Sequence, residues 1–93
     1  TGQIEGGVVQ AIGYTLYEKV LWKDGHMINN QMTNYMIPTT KDIPPIQVHF
    51  EEWNKLNGPK GAKGIGELPM DGTGPAIINA VENAVGVSVN AIP

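Results

Sequence analysis

No cysteine occurs among the 93 residues. A disulfide framework and a thiolate metal site are both excluded, and an intracellular, cytoplasmic setting is expected over a secreted one. Charge is also scarce: 16% of residues are charged, against about a quarter in an ordinary soluble domain. Part of the surface is therefore expected to be covered. Six basic residues stand against nine acidic ones, for a net charge of −3, and the basic ones are scattered singly. That pattern argues against nucleic-acid phosphates as a partner. No apolar run approaches the ~18 residues of a membrane span, and no basic start with an apolar middle marks a signal peptide. The sequence begins with Thr1, not Met, and stops at Ala91-Ile92-Pro93 straight after an apolar stretch. Both features are expected of a segment of something longer.

What is present reads as one small domain with one modest core. Ile4, Val8, Ile12, Leu16 and Val20 recur every fourth position with Ala11 beside them, the stripe of a helix over about 3–18. Gly6, Gly7 and Gly13 lie inside it, each costing about 1 kcal/mol relative to alanine. They need a compensating reason, such as the close approach of another backbone or a ligand. Lys19–Trp22 and His26–Asn29 flank Lys23-Asp24-Gly25, and Asp-Gly between such runs predicts a two-stranded ribbon. Pro38, Pro44 and Pro45 make 30–45 extended and irregular. Ile46, Val48 and Phe50 alternate with Gln47, His49 and Glu51, the period of a half-buried strand.

Thr73-Gly74-Pro75 supplies a cap-like residue and an early proline for a second helix. Ala76, Ile77, Ala80, Val81 and Ala84 form its apolar face, and Gly86 is placed to end it in the left-handed region. Val87–Val89 would add a last short strand. The expected class is α+β, with two helices packed on a small sheet made of the hairpin plus one or two further strands.

The residues able to carry chemistry concentrate in 58–69, Gly-Pro-Lys-Gly-Ala-Lys-Gly-Ile-Gly-Glu-Leu-Pro, with four glycines in nine positions before Glu67. Glycine permits positive φ and lets backbone N–H groups lie against a ligand. A carboxylate between Gly66 and Leu68-Pro69 has apolar and backbone neighbours, and partial burial would raise its pKa towards the range of a general base. The plainer alternative is an exposed Glu67, or one that caps the helix near Pro75. As a phosphate loop the stretch is poor: no Gly-Lys-Ser/Thr follows, and Pro69 replaces the third glycine of the dinucleotide fingerprint, although Lys60 and Lys63 could meet a phosphate. Glu5 fits a helix first turn, and Gln3 offers an amide donor and acceptor at the same helix start. His26 and His49 read as solvated, and ligation of a metal by protein atoms is not expected.

The order Gly2-Gln3-Ile4-Glu5-Gly6-Gly7, Val9-Gln10-Ala11-Ile12-Gly13, Tyr35-Met36-Ile37-Pro38-Thr39, Gly61-Ala62-Lys63-Gly64-Ile65-Gly66-Glu67-Leu68-Pro69 and Pro75–Val81 to Gly86-Val87 resembles the molybdenum hydroxylases, the xanthine dehydrogenase and aldehyde oxidase enzymes. The likeness covers essentially the whole chain. It implies that residues 1–93 form a single carboxyl-terminal segment of the large subunit, a fragment of its molybdopterin-binding domain. It further implies that Glu67 is the catalytic base beside the molybdenum, while the Gln3 side chain and the Gly66 backbone contact the pterin. Both glycine-bearing stretches would then let a ligand come close.

The activity implied is hydroxylation of an aldehyde or an N-heterocycle such as a purine, with water as oxygen source. The implied cofactor is molybdopterin, as the simple pterin or its dinucleotide. Iron–sulfur clusters and FAD are expected on other domains or subunits. Expected partners are the remainder of the large subunit, electron-transfer subunits and a small-molecule substrate, with no nucleic acid and no membrane. The alternative is a non-catalytic fragment that self-associates as a homo-oligomer through its uncharged faces.

Overall fold

A computed structural model describes residues 1–52 and 58–93. Along the chain run helix α1 (Gly2–Leu16), strands β1 (Trp22–Lys23) and β2 (His26–Met27), a 3-10 turn (Pro59–Gly61), a short helix α2 (Leu68–Asp71) and helix α3 (Thr73–Val85). Among the described residues no helix is long and apolar enough to cross a membrane.

Helix α1 starts where the Thr1 carbonyl accepts the N–H groups of Ile4 and Glu5 at 2.9 and 3.0 Å. It ends with Tyr17 and Glu18 both donating to the Gly13 carbonyl at 2.9 Å. Its packed face takes in only part of the predicted aliphatic stripe: Ala11 and Ile12 are buried and Ile4 and Val8 half-buried. The buried residues are Gly7, Ala11, Ile12, Gly13 and Thr15, while Leu16 and Val20 stand exposed. Gly7, Ala11 and Thr15 are spaced by four, so a row of small side chains faces the rest of the fold and lets other backbone come near. Two helix glycines thereby find their reason in protein rather than ligand. A Cβ on Gly7 would lie 2.6 Å from Pro69 Cβ, and Gly13 is packed against the Glu18 carboxylate and Pro38. The third, Gly6, faces no protein atom within 4 Å of where its Cβ would lie.

The hairpin forms as predicted but shorter. Trp22 pairs with Met27 and Lys23 with His26. Asp24 (φ 50°) and Gly25 (φ 77°) are both left-handed, the two-residue turn whose twist matches antiparallel strands. Below it the buried Asn29 amide donates to the Lys19 carbonyl at 2.6 Å and accepts from the Leu21 N–H at 2.9 Å, which closes the base of the ribbon.

Residues 30–45 contain no helix or strand, as their prolines dictate. Here the Tyr35 hydroxyl donates to Glu18 at 3.1 Å. Partial burial, and then the Glu18 carboxylate that accepts this proton, hold the Tyr35 phenol above its ordinary 10.0.

Two expected strands are absent. Residues 46–50 and Val87–Val89 form no strand among the described residues, and Val87 lies in a bend. Alternation fits a pleat, but a strand also needs a neighbour for its backbone bonds. The Val89 N–H bonds instead to the Glu82 carboxylate at 2.7 Å. A second correction concerns the layers: the helices pack on one another, and neither touches the hairpin. The α+β class stands, with two helices and a two-stranded sheet side by side. The Cα radius of gyration is 16.9 Å, where a compact chain of this length would have about 12 Å. Its buried apolar core residues are Ala11 and Ile12.

Candidate functional site

The loop carrying Glu67 is fixed from both sides. Upstream, the Gln3 amide donates to the Gly66 carbonyl at 3.4 Å. Downstream, Leu68–Asp71 form α2, which packs into the angle between α1 and α3. Three contacts hold it. Pro69 seats against the bare backbone of Gly7. The Tyr14 hydroxyl donates to the Met70 carbonyl at 3.2 Å, and the Thr73 hydroxyl donates to the Pro69 carbonyl at 2.9 Å.

Glu67 itself is the N-cap residue of α2, and its carbonyl accepts the Met70 N–H at 2.8 Å. Its side chain makes no capping bond, and its carboxylate has no hydrogen-bond partner among the described residues. The expected cap on the helix near Pro75 is not what Glu67 does. The partial burial expected for it is also not supplied by the described residues, where Glu67 is exposed.

The glycines of the loop divide into two kinds. Gly58 (φ 93°) and Gly61 (φ 80°) are left-handed and bracket Lys60 (φ 53°), making a tight 3-10 turn. Gly64 and Gly66 have ordinary φ, and a Cβ built on either meets no atom within 4 Å. Neither conformation nor packing among the described residues calls for glycine there. What remains is open space beside Gln3, Gly66 and Glu67, and a bare backbone that lets a flat ligand approach. An exposed amide at the start of α1, open glycine backbone and an exposed carboxylate thus lie at one place.

Among the described residues no three His, Asp or Glu side chains are grouped to hold a metal ion. A cavity of about 410 Å³ lies between α1, α3 and the tail, lined by Tyr14, Thr15, Gly74, Ile78, Asn79 and Val89 among others. It includes neither Gln3, Gly66 nor Glu67, so it is separate from this site.

Of the residues singled out from the sequence, Gln3 and Gly66 touch, and Glu67 follows Gly66 on the same loop. Sequence reasoning missed α2, which is too short to show a period, and the roles of Gly7, Tyr14 and Pro69. Thr73, expected as the cap of α3, lies inside that helix. Gly72 is the N-cap, and the Thr73 hydroxyl serves α2 instead.

The family model described as molybdopterin cofactor-binding domain matches residues 1–44. The chain is 38% identical over 92 residues to a probable xanthine dehydrogenase subunit from Bacillus subtilis, covering 99% of this chain and 12% of that protein. It is 36% identical over 94 residues to the aldehyde oxidoreductase molybdenum-binding subunit PaoC of Escherichia coli, covering 98% and 13%. In structure it is similar to quinoline 2-oxidoreductase from Pseudomonas putida 86, with a TM-score of 0.85 and 38% identity over 99% of this chain and 12% of that one. The chain thus spans about 12% of the length of the relatives it matches.

Proposed function

Because the chain belongs to the molybdenum-binding subunits of the xanthine dehydrogenase and aldehyde oxidase family, we propose that residues 1–93 are the carboxyl-terminal segment of such a subunit and carry its catalytic base, Glu67. The single observation that supports this most is the contact between the Gln3 amide and the Gly66 carbonyl, which puts an amide, open glycine backbone and the Glu67 loop at one place. Gln3 and Gly66 would hold the pterin of the molybdenum cofactor. That cofactor, when bound, supplies the two-electron redox chemistry of hydroxylation with water as oxygen source.

The work of this chain is orientation and proton transfer. Gly64 and Gly66 present backbone without side chains, so the cofactor can lie close. Glu67, with no capping bond to satisfy, accepts the proton released as water oxygen is transferred to an aldehyde or an N-heterocycle such as a purine. A carboxylate does this well only when ionised and poorly solvated, so the exposed Glu67 is to be enclosed by the remainder of the large subunit. The same remainder covers the apolar side chains that α3 leaves open at Val81 and Val85. Iron–sulfur clusters and FAD on other domains or subunits would take up the electrons, in a cytoplasmic complex.

Replacing Glu67 by Gln in the complete, cofactor-loaded enzyme keeps shape and removes basicity. Turnover falls by about 10²–10⁴-fold while molybdenum content stays near that of the parent. Retained turnover removes Glu67 as the base. The competing reading, a self-associating non-catalytic piece, is favoured by the exposed apolar residues. Light scattering on the 93-residue chain separates the two: a discrete oligomer without molybdenum supports association, and a monomer argues against it.

A further inference from the structure

Gly7 is buried in the second turn of α1, and the atoms it faces belong to Pro69. A Cβ there would come within 2.6 Å of Pro69 Cβ, 3.2 Å of its Cγ and 3.6 Å of its Cα. Carbon atoms pack best at about 3.5–4.0 Å, so a methyl group at position 7 requires one partner to move by roughly 1 Å. The pyrrolidine ring cannot swing away as a long side chain does, because it is closed onto the backbone. Any displacement of Pro69 therefore moves main chain. That main chain is α2, whose first hydrogen bond ends on the Glu67 carbonyl. Seven residues further along α1, Tyr14 grips the same short helix through the Met70 carbonyl at 3.2 Å.

We propose that Gly7 and Tyr14 are positioning residues for Glu67, acting through Pro69 and Met70 and not through the cofactor. The proposal rests on the reading of Glu67 as the base. Gly7 sets how closely α2 approaches α1, and Tyr14 sets where α2 lies along it. Together they fix the place and direction in which the Glu67 side chain leaves the backbone. A shift of about 1 Å at a reacting group can cost on the order of 10²-fold in rate.

The test uses the complete, cofactor-loaded enzyme with the variants Gly7→Ala, Tyr14→Phe, Gly7→Ala/Pro69→Gly and Glu67→Gln. Gly7→Ala is expected to lower kcat by at least tenfold, with KM within about twofold of the parent and molybdenum content unchanged. Hydrogen exchange of the peptide spanning 66–71 should quicken, and the pH profile of kcat should shift. Removing the opposing Cβ in Gly7→Ala/Pro69→Gly should recover part of the kcat lost in Gly7→Ala, so that the two changes are not additive. Parental kcat and exchange in Gly7→Ala overturn the proposal, as does a lowered kcat with unchanged exchange at 66–71.

Should Gly7→Ala fail to yield folded enzyme, Tyr14→Phe decides. It removes one hydrogen bond and no volume, and is expected to reduce kcat severalfold with faster exchange at 69–71. Parental values of both overturn the idea. Turnover retained in Glu67→Gln sinks the reading of Glu67 alone, because exchange in Gly7→Ala still reports whether Gly7 fixes the loop.

Discussion

The Gln3 amide nitrogen and the Gly66 carbonyl oxygen, 63 residues apart in sequence, meet at 3.4 Å. The bond is long and exposed, so its contribution to stability lies at or below the low end of the usual range, about 0.5 kcal/mol. Its use is to bring the helix start and the glycine loop to one place. Gln3→Ala should therefore leave the unfolding midpoint of the complete subunit nearly unchanged while lowering its molybdenum content severalfold. Gln3→Glu, which cannot donate to a carbonyl, should behave alike. Metal analysis beside a denaturant titration checks both, and full molybdenum in either variant takes Gln3 out of the cofactor site.

Gly86 ends α3 at φ 70° and ψ 20°, with its N–H donating to the Glu82 carbonyl at 2.8 Å. An alanine there keeps the bond but meets the left-handed penalty of about 1–2 kcal/mol, while asparagine tolerates the region better. Gly86→Ala should speed amide exchange across the last turn about five- to thirtyfold, and Gly86→Asn less. Equal exchange in the two variants would contradict the left-handed end.

The elements that were legible are those whose cause is local. Asp24-Gly25 wrote the hairpin turn and Gly86 the end of α3, since each needs a positive φ that few residues accept. The α1 period showed that a helix exists and put Ala11 and Ile12 in its core, but the stripe ran on to Leu16 and Val20, which stand exposed. The face that packs is Gly7, Ala11 and Thr15, and smallness is informative only once the partner, Pro69 or Gly74, is known. Alternation at 46–50 was real, yet a strand is a property of two segments, and no second segment lies beside it among the described residues. The motif order singled out Gln3, Gly66 and Glu67 as candidates, and Gln3 and Gly66 do meet. It could not supply the exposure of Glu67, because exposure depends on which residues the fold brings around a carboxylate, and motif order does not state that.

The hydroxyl of Thr39 and then its backbone N–H, both donating to Asp42 Oδ2 at 2.7 Å, hold the Asp42 carboxyl below its ordinary 3.8. A depressed carboxylate pKa favours the folded turn at pH above the ordinary value. That contribution shrinks as pH falls below 3.8 and is gone once the pH has passed the lowered folded pKa. Thr39→Val removes the larger cause and keeps the N–H, so Asp42 should titrate at higher pH and the turn should loosen earlier in acid. Carbon NMR of aspartate-labelled protein measures it. An unmoved Asp42 titration would show that the hydroxyl is not the cause.

Thr15 is 1% exposed, and its hydroxyl has no hydrogen-bond partner among the described residues. It faces Gly74 so closely that a Cβ there would lie 3.2 Å from Thr15 Oγ1 and 2.7 Å from the Tyr14 hydroxyl. Burying an unsatisfied hydroxyl costs about 1–3 kcal/mol, whereas an apolar group of the same shape costs nothing comparable. Valine has that shape. Thr15→Val should therefore be neutral or stabilise the complete subunit by about 1 kcal/mol, and Gly74→Ala should destabilise it by forcing α3 away from Tyr14 and weakening the bond to Met70. Denaturant midpoints of the two variants decide. If Thr15→Val instead destabilises by about 1 kcal/mol or more, the hydroxyl has a partner beyond the described residues.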